Sequence, residues 1–258
     1  MDASKQKTGS GLGLAIATLV AIIGTLLVNS LSNIVPPGGE NVGEIANTTL
    51  AGVLITPANY AFAIWGLIYI GLIAYGVYQL GRNQRRNATI QRVNGLLIVA
   101  CVAQIIWIFL FTLKFFALSI IAMLAILIPL VIAYLALGIG QQTAKRSRRW
   151  YAHYPFSIYL AWISVATIIN VASALYVAGW SGGLTDTVWT VVMIGVSAVV
   201  GMAVILTRRD IPFTLIYLWA YGAIAARHAD IPAIQMSALG AGLVLLIVLG
   251  LQRWLQRS

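Results

Sequence analysis

The chain has 258 residues, 60% of them hydrophobic and 9% charged, with a net charge of +10. It lacks the polar side chains that a water-facing surface of this size needs, so a soluble globule is excluded and lipid is the expected solvent. The basic residues fall in short clusters between long apolar runs, which fits membrane orientation and gives no expectation of a nucleic-acid partner.

A helix needs roughly 20 apolar residues to cross a ~30 Å hydrocarbon core. By that length the predicted spans are 11–33, 58–80, 93–113, 116–140, 154–178, 187–207, 211–227 and 232–253. Lys5 and Lys7 precede an apolar stretch from Leu12 to Val28. That stretch exceeds the roughly 7–15 residues of a signal-peptide core and no A-x-A site follows, so an uncleaved first span is expected. The third and fourth spans are separated by little more than Lys114, a tight helical hairpin. The seventh is short and opens on Pro212, a normal residue for a first helical turn.

Eight spans place Lys5, Lys7, Arg82, Arg85, Arg86 and Arg92 on one side. Lys145, Arg146, Arg148, Arg149, Arg208, Arg209, Arg253 and Arg257 join them, and only Lys114 and Arg227 fall opposite. The positive-inside rule then puts both termini in the cytoplasm. The outer loop from Ile34 to Thr56 carries Pro36-Pro37-Gly38-Gly39 with Glu40 and Glu44, and is long enough to fold over the bundle's outer mouth. A second outer connection, Gly179 to Asp186, contains Trp180. Trp150 and Trp254 flank basic loops, as interfacial belt residues do. Small residues recur as Ser197 with Gly201, Ser237 with Ala241, and Ala166 with Asn170 and Ser173, spacings that let helices approach closely.

Conventional catalytic chemistry is not expected. All six acids lie in loops or at span ends, which argues against an ion-coupled transporter. The single cysteine, Cys101, allows no intrachain disulfide or thiolate cluster. His153 and His228 map to opposite faces, so no paired axial ligation of a haem is expected within one chain. No hydrolase or kinase constellation stands in a plausible context, and no metal or required cofactor is predicted.

The remaining signal is aromatic and weakly polar. Phe62, Trp65, Tyr69 and Leu72 share one helix face in the second span; Tyr159, Trp162, Ala166, Asn170 and Ser173 form a comparable stripe in the fifth. Such faces match a large flat apolar ligand, and they equally match ordinary helix packing.

The run from Pro57 through Ala58-Asn59-Tyr60-Ala61-Phe62-Ala63-Ile64-Trp65 to Tyr69 resembles the second-helix signature of the TspO/translocator-protein family, the tryptophan-rich sensory proteins (TspO/MBR), roughly P-x-W-x-x-x-P-V-W-x-x-L-Y. Tyr159-Leu160-Ala161-Trp162, followed by Ala166-Thr167 and Asn170, is similar to that family's fifth-helix Y-L-A-W-x-x-x-A-T-x-x-N. Gln104, Trp107 and Phe111 resemble its third-helix pattern, in which an Asn precedes a Trp and aromatics. The chain departs from these patterns at Asn59 (Trp in the family), Ala63 (Pro) and Gln104 (Asn). After Tyr176 the basic residue of the sterol motif is missing.

The resemblance implies an all-α fold: a five-helix membrane bundle over residues 1–180, with a three-helix extension over 181–258. It implies a cavity that binds porphyrins or lipid-like molecules in a sensory, regulatory or ligand-handling role. By position, Phe62, Trp65, Tyr69, Gln104, Trp107, Trp162, Ala166 and Asn170 would contact the ligand. Light-dependent porphyrin degradation, reported for some members, is the one reaction the resemblance admits. A bacterial inner membrane is the expected location. Two alternatives stand beside this reading. One is an accessory subunit of a larger membrane complex, such as a pigment-containing one, suggested by the three extra spans and the absence of catalytic or coupling residues; a homodimer is the competing assembly. The other is a small-solute uniporter, suggested by Asn29, Asn33, Asn94, Gln104 and Asn170 near or within spans.

Overall fold

The computed structural model describes residues 11–255. Lys5, Lys7 and Arg257, used above to orient the chain, lie outside the described residues. The helices are α1 (Leu12–Ile34), α2 (Val42–Asn47), α3 (Ile64–Gln79), α4 (Arg82–Arg85), α5 (Ala88–Thr112) and α6 (Phe116–Ala136). They continue as α7 (Arg146–Arg148), α8 (Tyr154–Val177), α9 (Asp186–Arg208), α10 (Ile211–Arg227) and α11 (Pro232–Trp254). A 3-10 helix, Asn59–Ala63, leads into α3, and a π-helical turn, Arg149–His153, leads into α8. Pro155 offers no N–H to the carbonyl one turn back, a local reason for the ladder to widen there.

Seven of these helical stretches are long and apolar enough to cross a bilayer, and α10 is a shorter apolar helix. At 17 residues α10 reaches only ~26 Å, just under the ~30 Å hydrocarbon core. The chain is a polytopic helical membrane protein, as its composition requires.

Helix α1 packs against α3 and α5, α5 against α6, α6 against α8, and α8 against α3, closing a ring of five. Helix α10 joins the ring at α8, and α9 and α11 pack on α10 and on each other. Small and polar residues turn inward. In α1, Ala15, Thr18, Thr25 and Ser32 are buried while Ile16, Val20, Leu27 and Leu31 are exposed. Lipid solvates large apolar side chains as well as protein does, so close approach and hydrogen bonding decide which face is inside. Thr25 donates to the Cys101 carbonyl at 3.2 Å, tying α1 to α5. Gln79 donates to the Ala15 carbonyl at 2.8 Å, Asn94 to Gln79 at 2.8 Å, and Tyr75 to Asn94 at 2.6 Å, joining α1, α3 and α5. The pairing of Ser197 with Gly201 serves packing: Ser197 meets the Tyr221 hydroxyl at 2.7 Å, and Gly201 faces Leu245 and Tyr217.

The hairpin between α5 and α6 turns on Lys114 in the left-handed conformation, φ 64°, while the Phe115 N–H reaches back to the Leu110 carbonyl at 2.8 Å. Gly38 crosses this tip so closely that a Cβ would sit 1.9 Å from the Thr112 carbonyl oxygen. Only glycine fits there, and this contact sends the following loop back over the ring.

Candidate functional site

Inside the ring, at the end away from the arginine clusters, is a cavity of about 450 Å³. That lies within the ~300–1,000 Å³ common for small-molecule sites. Phe62 and Trp65 enter it from the 3-10 helix and α3; Gln104, Trp107 and Phe111 from α5; Trp162, Ala166 and Asn170 from α8. Every residue expected at the site lines the cavity except Tyr69, which lies behind Trp65 and stacks on it with centroids 5.6 Å apart.

The aromatic walls are braced by one another. Trp162 meets the edge of Phe62 at 6.2 Å, Trp65 meets Tyr159 at 6.3 Å, and Trp107 tilts against Phe111 at 5.0 Å. The indole N–H of Trp107 donates to Asn170 Oδ1 at 2.6 Å, and Asn170 Nδ2 donates to Ser119 of α6 at 2.8 Å. Gln104 donates to the Tyr69 hydroxyl at 2.9 Å and accepts from Tyr159. The amides of the sequence stripes therefore fix the rings in place across three helix interfaces while lining the cavity. Trp162 is buried and its Nε1 has no hydrogen-bond partner.

What the sequence did not reveal is how much of the wall comes from elsewhere. Met123 and Ile126 of α6 and Asn29 and Ser32 of α1 contribute, as does the loop that closes the mouth. That loop carries α2, held by a capping box in which Asn41 accepts from the Glu44 N–H and the Glu44 carboxylate accepts from the Asn41 N–H. The N-x-x-E spacing is the local signal that marks this helix. Leu50, buried to 1% exposure, plugs the loop into the core.

Three anchors hold this lid. Lys114 pairs with Glu40 at 2.7 Å, and Thr48 donates to the same carboxylate at 2.7 Å. These bonds hold the Glu40 carboxyl below its ordinary range, Lys114 contributing most. Arg227, at the end of α10, donates to the Ala46 carbonyl at 3.0 Å and the Pro57 carbonyl at 3.3 Å. The Ala58 N–H donates to the Ala223 carbonyl at 3.1 Å, and the Trp219 indole to the Ala61 carbonyl at 3.2 Å. Next to Arg227, burial and that guanidinium hold His228 below the usual imidazole value.

At the opposite end, buried Asp210 caps α10 through the Phe213 N–H at 3.2 Å. It also accepts from Tyr134 of α6 at 2.8 Å and Ser157 of α8 at 2.6 Å. Burial raises its carboxyl above the ordinary value, and the three hydrogen bonds oppose that rise. His153 lies in the π turn at this end and His228 at the lid end, so the two histidines do not meet.

A family model described as TSPO-like protein matches residues 15–251, a stretch that takes in α9, α10 and all but the last three residues of α11. No curated protein and no solved structure matches the chain. The ring of five helices, the aromatic cavity and a match over nearly the whole length agree: the chain belongs to the TSPO-like protein family.

Proposed function

We propose that this TspO-like membrane protein binds a planar, largely apolar ligand, a tetrapyrrole or a molecule of similar shape, in the lidded cavity, and serves a sensory or ligand-handling role. The observation that carries this reading is the convergence of three indoles from three helices, Trp65, Trp107 and Trp162, on one cavity. Aromatic faces supply stacking area to a flat guest, and a few fixed amides orient it. Holding a guest is favoured over passing a solute through. Leu72, Tyr75, Leu97 and Phe156 are all buried to 1% exposure or less, and Tyr75 meets Phe156 at 5.0 Å, so packed side chains occupy the arginine-rich half of the ring.

The test is a titration of the protein in nanodiscs with porphyrins, followed by the shift of the ligand's Soret band. Saturable binding is expected. Replacing Trp65 and Trp162 together by Ala should weaken it at least tenfold, about 1.4 kcal/mol. Ala166→Phe, which fills the cavity from α8, should weaken it as well. Unchanged affinity in both variants would exclude this cavity.

A further inference from the structure

At the arginine-rich end of the ring the charges are not balanced. Arg82, Arg86, Arg92, Lys145, Arg146 and Arg149 are exposed there, and among the described residues none of them pairs with a carboxylate. Glu40, Glu44, Asp186 and Asp230 all lie at the lid end. Asp210, the one acid at the arginine-rich end among the described residues, is buried and holds Tyr134 and Ser157. One seam of this face is built more firmly than the rest, where α3 ends against the π turn that leads into α8. Gly71 of α3 lies so near Pro155 of α8 that a Cβ would come within 3.2 Å of it. Tyr78 stacks on Tyr151 with centroids 5.6 Å apart, and Trp150 meets the edge of Tyr154 at 5.1 Å. Arg149 donates to the Tyr154 hydroxyl at 3.3 Å. Arg148 is half-buried beside them, its charge reaching the Tyr78 hydroxyl and the His153 ring. Its Nε is buried and has no partner among the described residues. Farther along α3, Ile70, Ile73 and Val77 present one exposed apolar face that leads away from these arginines.

We propose that this seam binds an anionic phospholipid, its phosphate against the Arg148 and Arg149 guanidiniums and an acyl chain along Ile70, Ile73 and Val77. The proposal is independent of what the cavity holds. A guanidinium fork matches phosphate oxygens two at a time. The surrounding rings already hold Arg149, so less side-chain freedom is lost when the phosphate arrives. Trp150 and Tyr151 are exposed beside the arginines, at the level where aromatic rings meet lipid headgroups. The apolar face of α3 continues directly from them, which suits a phosphate that carries a hydrocarbon tail and gives a soluble anion nothing further to touch. A zwitterionic headgroup brings its own cation into a field of unbalanced positive charge. An anionic headgroup brings only the opposite sign, and the field favours it.

The experiment mixes the full chain in detergent with equal amounts of phosphatidylglycerol and phosphatidylcholine bearing the same acyl chains, and identifies the retained lipids by native mass spectrometry. Phosphatidylglycerol is expected to lead among first-bound lipids by roughly tenfold, since each basic side chain at an anionic surface contributes a preference of about fivefold. Arg148→Gln combined with Arg149→Gln should bring the ratio down to roughly twofold, and Arg149→Gln alone, at an exposed side chain, to a value between. Arg92→Gln combined with Arg253→Gln removes the same charge from α5 and α11, away from the seam, and should leave the ratio unchanged. Melting temperatures report that each variant is folded; where the first pair is not, the Arg149→Gln ratio decides. A ratio near one in the unaltered protein, no change in Arg149→Gln, or an equal fall in both pairs overturns the site. Displacement of phosphatidylglycerol by inorganic phosphate, against chloride of matched ionic strength, identifies a soluble-anion site and overturns the lipid.

Discussion

At Asp210 three helices meet through one carboxylate, which caps α10 and accepts the Tyr134 and Ser157 hydroxyls. Asp210→Ala removes the cap and strands two buried hydroxyls, so a loss of about 2–5 kcal/mol is expected in denaturant titrations. Asp210→Asn keeps one acceptor oxygen, enough for the cap, while its NH2 replaces the oxygen that accepted the two hydroxyls, so a smaller loss of about 1–2 kcal/mol is expected. The carboxyl's raised value fixes the sign of the pH effect: the folded state holds its proton more tightly, so stability falls as pH rises from the ordinary value of 3.8 through the folded one. Melting temperatures across that window should show the fall in the unaltered protein and its absence in Asp210→Asn. The sequence places Asp210 at a span end but does not reveal its burial, because that burial comes from α6 and α8, distant in the chain. By contrast Trp65 in α3, and Trp162 with Asn170 in α8, were legible, since helical period gives each helix an aromatic face and the family resemblance marks those two faces as a cavity wall.

The lid shows the same division at the scale of elements. Its length, its glycines and its acids are visible in the sequence, and so is the capping box that starts α2. Its partners are not, because they lie far along the chain. Arg227→Ala should free the junction of the lid with α10. Charged hydrogen bonds to two carbonyls are worth roughly 1.5–3 kcal/mol each at most, and this guanidinium is only partly buried, so a gain of about tenfold in lid opening is expected. Hydrogen exchange over residues 42–57 is the measurement, and unchanged protection there would remove Arg227 from the role. Gly38→Ala should act at the other edge, since its Cβ cannot share space with the Thr112 carbonyl. Glu40 is half-buried and its carboxyl is held low, so its tie to Lys114 persists above the ordinary value of 4.5 and is lost as pH drops through the lowered one. Faster exchange in the lid on acidification is the expected sign.

The whole molecule does not separate as simply as the spans suggest. The family resemblance divides the chain near residue 180, but Arg227, Trp219 and Ala223 of α10 all contact the segment that closes the ring. A chain ending after residue 180 is therefore expected to insert as helices yet lose at least tenfold in ligand affinity. Retained affinity in that truncation would show the last three helices to be dispensable for closure. The number and order of the spans were readable because lipid imposes length and charge bias on each one separately. The arrangement of the helices around the ring was not, because it follows from interhelical hydrogen bonds and close contacts. The double grip of Arg227 on Ala46 and Pro57 carries a further consequence. Coupling between two sites runs equally in both directions. If the cavity holds a guest as proposed, that guest should fasten the carboxyl-terminal trio to the barrel of helices, and whatever pries the trio loose should set the guest free.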